Sequence, residues 1–130
     1  MILKIYTDGG SKGNPGPASI GFVFYQGEKI VFKHKESIGI ATNNDAEYTA
    51  LIRALENVKR YTLNITQINC YSDSRLMVNQ VNGMFKVKNA RIKEYILKIR
   101  ILEQEISLPI FYRLIPREQN TVADSLVNAV

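Results

Sequence analysis

With 130 residues, 45% of them apolar and 22% charged, the chain is long enough for one domain with a proper core and reads as globular rather than disordered. No apolar run approaches the ~20 residues that span a bilayer, the start MILKIYTDGG alternates like a strand rather than a signal peptide, and one cysteine, Cys70, excludes an internal disulfide and a cysteine-based zinc site. A soluble, cytoplasmic protein is expected, and the net charge of +5, bunched in KVKNARIK (Lys86, Lys88, Arg91, Lys93), makes a phosphate backbone worth considering as partner beside the plainer reading of a solvated basic surface.

From Ile2 to Thr7 the pattern is that of a strand ending at Asp8. The stretch TDGGSKGNPGP follows, and then ASIGFVFYQ and KIVFKHKES form a hairpin across the polar turn Gly27–Glu28. A helix is predicted from about Asn44 to Tyr61, with the apolar stripe Leu51, Ala54, Leu55 and Val58. TQINCYSD is a fourth strand, and SRLMVNQVNG a short helix ended by Gly83. A long amphipathic helix runs from about Asn89 to Glu105 with Ile92, Ile96, Ile99 and Glu103 along one line. LPIFYRLIP is a fifth strand stopped by Pro116, and a last short helix starts at Thr121. Three strands followed by helix–strand–helix–strand–helix give an α/β fold, a mixed sheet with helices on its faces, over one domain, residues 1–130.

The acidic residues carry the main signal on this map. Asp8 ends the first strand and Asp73 the fourth, and the two-residue period puts Tyr6 in phase with Asp8 and Tyr71 with Asp73. If a right-handed crossover makes the two strands parallel neighbours, both carboxylates emerge at the carboxyl edge of the sheet, where open α/β sheets place their sites. Glu47 heads the inward stripe of the first helix, and Asp124 lies in the first turn of the last. Each also has an ordinary explanation: Asn44-x-x-Glu47 and Thr121-x-x-Asp124 read as capping boxes, Asp73 as a helix cap, Asp8-Gly9 as a turn. Jointly these explanations weaken, because carboxylates crowded in low dielectric repel and need compensation. Oxygen-only ligation selects a hard divalent cation, Mg²⁺ or Mn²⁺, rather than zinc.

TDGGSKGNPGPA, TNNDAEYTAL, YSDSRLMVNQVNG and NTVADSL, in this order and spacing, resemble the signature segments of type I ribonuclease H over essentially the whole chain. The resemblance implies the ribonuclease H-like fold, a five-stranded mixed sheet whose first three strands are antiparallel, flanked by helices. It further implies endonucleolytic cleavage of the RNA strand in RNA–DNA hybrids, leaving 5′-phosphate and 3′-hydroxyl ends. The family's metal-binding catalytic carboxylates fall on Asp8, Glu47, Asp73 and Asp124, holding two Mg²⁺ or Mn²⁺ ions ~3.5–4 Å apart with substrate bound. The resemblance also places Ser11, Gly13 and Asn14 against the RNA strand, Asn43 and Asn44 in the hybrid's minor groove, Thr42 with Asn89 in a DNA-phosphate pocket, and Arg75 where a neutral residue usually touches RNA. The glycines beside Asp8, Gly9 first, are expected to admit a close-lying RNA backbone. TDGGSKGNPGP lacks the GK[ST] ending of a nucleotide-binding P-loop and is followed by a strand, not a helix.

The chain also departs from the family. The loop LIPREQNTVAD has no histidine before the last aspartate, leaving Arg117 or Glu118 as substitutes, neither equivalent, since arginine cannot shuttle a proton near neutrality. The basic, tryptophan-bearing handle of some bacterial members is absent, as VNGMFKVKNARI passes straight into the long helix, so selectivity between hybrid and duplex RNA is open. A monomer is expected. Two other classes stay open at this level: a non-catalytic nucleic-acid-binding module on the same fold, and a metal-dependent nuclease of the wider superfamily acting on DNA.

Overall fold

The computed structural model describes residues 1–61 and 64–130. Its five strands are β1 (Ile2–Ser11), β2 (Gly16–Gln26), β3 (Lys29–Ala41), β4 (Gln67–Ser72) and β5 (Ile110–Leu114). The helices are α1 (Asn43–Asn57), α2 (Arg75–Val81), α3 (Ala90–Ile106) and α4 (Thr121–Asn128), with short 3₁₀ turns at Val58–Tyr61 and Arg117–Gln119. The sheet order is β3-β2-β1-β4-β5: β1, β2 and β3 are antiparallel, while β4 lies parallel to β1 and β5 parallel to β4. This is the mixed sheet expected from the order of elements.

Two faces of the sheet are covered differently. Leu3, Ile5, Phe22, Phe24, Ile68 and Cys70 point one way and pack against Leu51, Ala54, Leu55 and Val58 of α1 and Ile92, Ile99 and Ile106 of α3. Burying such side chains stabilises the fold by about 1.5–3 kcal/mol each, which sets the register of every strand in the layer. On the opposite face α4 packs over β1 and β2, and a β-carbon at Gly21 would stand 2.6 Å from Leu126 Cβ. Glu103, placed on the apolar line of the long helix, accepts hydrogen bonds from Tyr112 (2.7 Å) and Arg100 (3.0 Å), so a paired carboxylate ends that stripe.

The glycine-rich stretch departs from expectation. Strand β1 does not stop at Asp8 but pairs with β2 through Gly9↔Ile20, Gly10↔Ser19 and Ser11↔Ala18. Glycine is a poor strand former, yet Gly9 is demanded by packing: a β-carbon there would lie 2.4 Å from the Ala46 carbonyl carbon and oxygen of α1. The close approach is made by the protein's own first helix, not by space kept for a ligand. Only Gly13, with φ +91°, serves a turn in this stretch by left-handed backbone.

A carboxylate cleft and its comparison with known proteins

Parallel pairing of β1 and β4 sets Tyr6 opposite Tyr71, their rings stacked at 4.8 Å, so two residues further on Asp8 and Asp73 stand level at the carboxyl edge of the sheet. Glu47 reaches the same point from the second turn of α1, and its Oε1 accepts the Gly9 backbone N–H at 3.0 Å. Oxygens of Asp8, Glu47 and Asp73 all lie within 4.8 Å of one another. Asp124 of α4 faces Asp8 across the cleft and lies 4.0 Å from the Arg117 guanidinium. All four carboxylates and Arg117 line one cleft of about 510 Å³, which continues past Gly10, Ser11 and Lys12 to Asn43.

The capping explanations are each displaced. The box at the start of α1 is Thr42 with Asp45, two residues before Asn44 and Glu47: the Asp45 N–H donates to Thr42 Oγ1 (3.0 Å) and the Thr42 N–H to Asp45 Oδ2 (3.2 Å). Ser74, not Asp73, caps α2, its Oγ accepting from Met77 N–H. Helix α4 has Asn120 as its N-cap with no side-chain capping bond, which leaves Asp124 out of any box. None of the four carboxylates is therefore consumed by a helix end.

Electrostatics mark the cluster as under-compensated. Burial first, and then the Asp73 and Asp124 carboxylates, push Asp8 from 3.8 up to about 7. Glu47 is raised well above the ordinary glutamate range by burial and by Asp8 and Asp73, with the Gly9 N–H and Arg117 acting the other way. A proton held more tightly by the folded chain stabilises the fold fully below the unfolded pKa and ceases to do so as pH rises through the folded value. In chelator the stability should therefore fall between about pH 4 and pH 7, by on the order of 4 kcal/mol from Asp8 alone, and the melting temperature with it. Added Mg²⁺ or Mn²⁺ should restore it at pH 7 and above, and scanning calorimetry across that range checks both; a flat profile would contradict the repulsion.

The predicted contact residues fall into three groups. Ser11, Asn14 and Asn43 form one network: Asn43 Oδ1 accepts the Ser11 N–H (2.9 Å) and O–H (3.2 Å), and the Asn43 N–H donates to Asn14 Oδ1 (3.0 Å). The Ser11 hydroxyl also donates to the Gly13 carbonyl. Thr42, Asn44 and Asn89 line a separate cleft of about 350 Å³ with Asn14 and Arg91. Thr42 and Asn89 are N-caps of α1 and α3 through their oxygens, which leaves the Thr42 hydroxyl proton and the Asn89 amide protons as donors. Arg75, the first residue of α2, lies with Arg117 beside Asp73 in a third groove. At Gly9 the N–H is taken by Glu47 and the direction a side chain would occupy is taken by α1. Glu118 is exposed and lines none of these clefts, so of the two substitutes for the loop histidine only Arg117 reaches the carboxylates.

Two residues were not singled out by sequence. Asn120 is buried, and its Nδ2 donates to the Thr7 carbonyl at 2.8 Å and to Asp73 Oδ1 at 3.3 Å, tying the start of α4 to both carboxylate-bearing strands. Asp45 is held by Arg91 (3.0 Å) and Tyr95 (2.9 Å), joining α1 to α3. An asparagine before a helix reads as a cap, and its long-range bonds have no local signature.

Comparison with known proteins fits this geometry. The RNase H family profile matches residues 2–108, a span that includes Asp8, Glu47 and Asp73. The bifunctional protein Rv2228c of Mycobacterium tuberculosis is 38% identical over 130 residues, covering 98% of this chain and 35% of that protein. Ribonuclease HI of Halobacterium salinarum is 37% identical over 128 residues, covering 97% of this chain and 62% of that enzyme. The chain thus spans about a third of the mycobacterial relative's length and under two thirds of the archaeal one. Among solved structures, LC11-RNase H1 in complex with an RNA/DNA hybrid superposes with a TM-score of 0.93 at 41% identity, covering 98% of this chain and 95% of that one. Among the described residues no helix is long and apolar enough to cross a membrane. With its five-stranded mixed sheet, its carboxylates gathered at the edge of β1 and β4, and a profile match over most of its length, the chain belongs to the ribonuclease H family.

Proposed function

We propose that this chain, acting as one cytoplasmic, monomeric catalytic unit over residues 1–130, hydrolyses the RNA strand of RNA–DNA hybrids with Mg²⁺ or Mn²⁺, leaving 5′-phosphate and 3′-hydroxyl ends. The observation that carries the reading is the convergence of Asp8, Glu47 and Asp73, within 4.8 Å, in a cleft shared with Asp124. Their donor set fits a divalent metal on chemical grounds: it is all carboxylate oxygen, and burial together with neighbouring negative charge opposes the ionisation of Asp8 and Glu47, which a cation would relieve. Two such ions, when bound, would supply Lewis acidity, lowering the pKa of an attacking water and neutralising charge on the leaving oxygen.

The residues of the chain divide the remaining work. Asp8 and Asp73 are fixed by paired strands, Glu47 by α1 and the Gly9 N–H, and Asp124 by α4, so the ligands come from rigid elements. Asn120 orients Asp73 through its amide. With Asn43 Oδ1 occupied by Ser11, the two Nδ2 protons of Asn43 have no partner among the described residues and are available to ribose or base oxygens, the 2′-hydroxyl being what separates RNA from DNA. The second cleft offers the Thr42 hydroxyl, the Asn89 amide and those Arg91 donors not taken by Asp45, which also lines it, and together these suit a phosphate of the DNA strand.

The test is cleavage of an end-labelled RNA strand in a hybrid, with Mg²⁺, with Mn²⁺ and with chelator, beside matched DNA duplex, RNA duplex and single strands. Metal-dependent internal cuts confined to the hybrid are expected, with the RNA-duplex lane reporting how selective a handle-less member is. Intact hybrid under every metal condition, with the protein folded, would overturn the hydrolase reading in favour of a binding module. Preference for the DNA duplex would point to a DNA-acting nuclease instead.

A further inference from the structure

Arg75 and Arg117 are 42 positions apart in the chain, yet both line one open groove of about 570 Å³ with Asp73, Leu114, Ile115 and Pro116. Arg75 opens α2, directly after the cap that follows β4, and Arg117 opens the turn that follows β5. Parallel pairing of β4 with β5, ending in Ser72↔Leu114, brings the two departures to the same edge of the sheet. Arg75 forms no ion pair among the described residues, and Arg117 has a single one, at 4.0 Å to Asp124. The wall between them is apolar, with Leu114 45% exposed to solvent. Asp73 and Arg117 also line the carboxylate cleft, so the groove is its direct continuation on the β5 side.

We infer that this groove is a phosphate site, in which Arg75 and Arg117 hold the phosphodiester next to the scissile one on the strand that crosses the carboxylates. The inference deepens the hydrolase reading above and rests on it for the identity of that strand as RNA. Two guanidinium groups over an apolar wall match a sugar–phosphate backbone: the planar forks bond phosphate oxygens, and the sugar face covers Leu114, Ile115 and Pro116. The site takes charge and shape rather than base identity, so it positions the strand without adding sequence preference. Arg117 thereby has a role different from that of a proton-shuttling histidine in the same loop.

The experiment compares the whole protein with Arg75→Gln, Arg117→Gln and the double variant, each first shown folded by circular dichroism. Hybrid binding is read by fluorescence anisotropy in Ca²⁺ over a salt series, and KM and kcat are read in Mg²⁺. Each single variant should weaken binding and raise KM about five- to tenfold, and should lower the slope of log Kd against log salt by roughly 0.7–0.9, the loss of one phosphate contact. A hybrid carrying one uncharged methylphosphonate, scanned along the RNA linkages, should cost the parent protein about tenfold at one linkage beside the cut and cost the double variant almost nothing there. Unchanged binding, KM and salt slope would overturn the site, as would a methylphosphonate penalty equal in parent and double variant at every linkage. A fall in kcat alone would overturn it too, assigning Arg117 to the carboxylates only. Failure of the parent protein to cleave any hybrid would sink the hydrolase reading separately, and the binding arm would still decide for or against the arginine pair.

Discussion

Asp8→Asn should lower hybrid cleavage by at least about 10³-fold, roughly 4 kcal/mol of transition-state stabilisation, while making the metal-free protein more stable. Asp8 stands centrally among the carboxylates: burial and the charges of Asp73 and Asp124 push it up to about 7. An amide of the same shape removes one of the negative charges that hold a cation pair, and with it the rigid β1 ligand between Glu47 and Asp73. The same change abolishes the cost of ionising that group in the folded chain, on the order of 4 kcal/mol above pH 7. In chelator at pH 8 the melting temperature should rise by about 10 °C or more. The Glu47 carboxyl should at the same time ionise more easily, since Asp8 is the largest of the charges that oppose it. Hybrid affinity in Ca²⁺ should stay within a few-fold. Retained cleavage would remove Asp8 from the reaction, and a lower melting temperature in chelator would refute the repulsion.

Gly9→Ala is the second large effect, and it acts through packing. The added methyl would stand 2.4 Å from the Ala46 carbonyl carbon and oxygen and 2.7 Å from the Glu47 nitrogen, all backbone atoms that no side-chain rotation can clear. Helix α1 would have to withdraw by about 1 Å from a close-packed contact, and overpacking of this kind costs about 1–3 kcal/mol or more. We expect the upper end, a loss of about 3 kcal/mol in guanidinium denaturation, with cleavage falling further because the Gly9–Glu47 hydrogen bond moves with the helix. Gly10 supplies the control: its β-carbon would meet only Val127 Cγ1, at 3.8 Å, an ordinary contact. Gly10→Ala should cost less than about 1 kcal/mol. Equal effects at the two positions would mean that strand propensity, not helix approach, governs this stretch.

These two positions show where reading the chain succeeds and where it fails. Asp8 and Asp73 could be placed at one edge because the two-residue period carries Tyr6 and Tyr71 with them, and that stacked pair is present in the sheet. Gly9 was read as room for a ligand because a glycine announces closeness without naming what comes close. The cap of the first helix was misread by two residues for a related reason. Thr42, Asn43 and Asn44 are all competent caps, and Thr42 was selected because Asp45, bonded also to Arg91 and Tyr95 of α3, completes the box from there.

By itself the sequence determined the element types, their order, the apolar stripe of α1 and the identity of the candidate carboxylates, because periodicity and caps are local properties of a chain. Only the tertiary structure decided which groups meet. The proximity of Glu47 to Gly9, the hold of Asn120 on Thr7 and Asp73, and the shared groove of Arg75 and Arg117 each join segments 38 or more positions apart. Such contacts follow from sheet register and from the depth to which a helix settles on a strand, quantities set by the packing of the whole core rather than by any neighbouring residue.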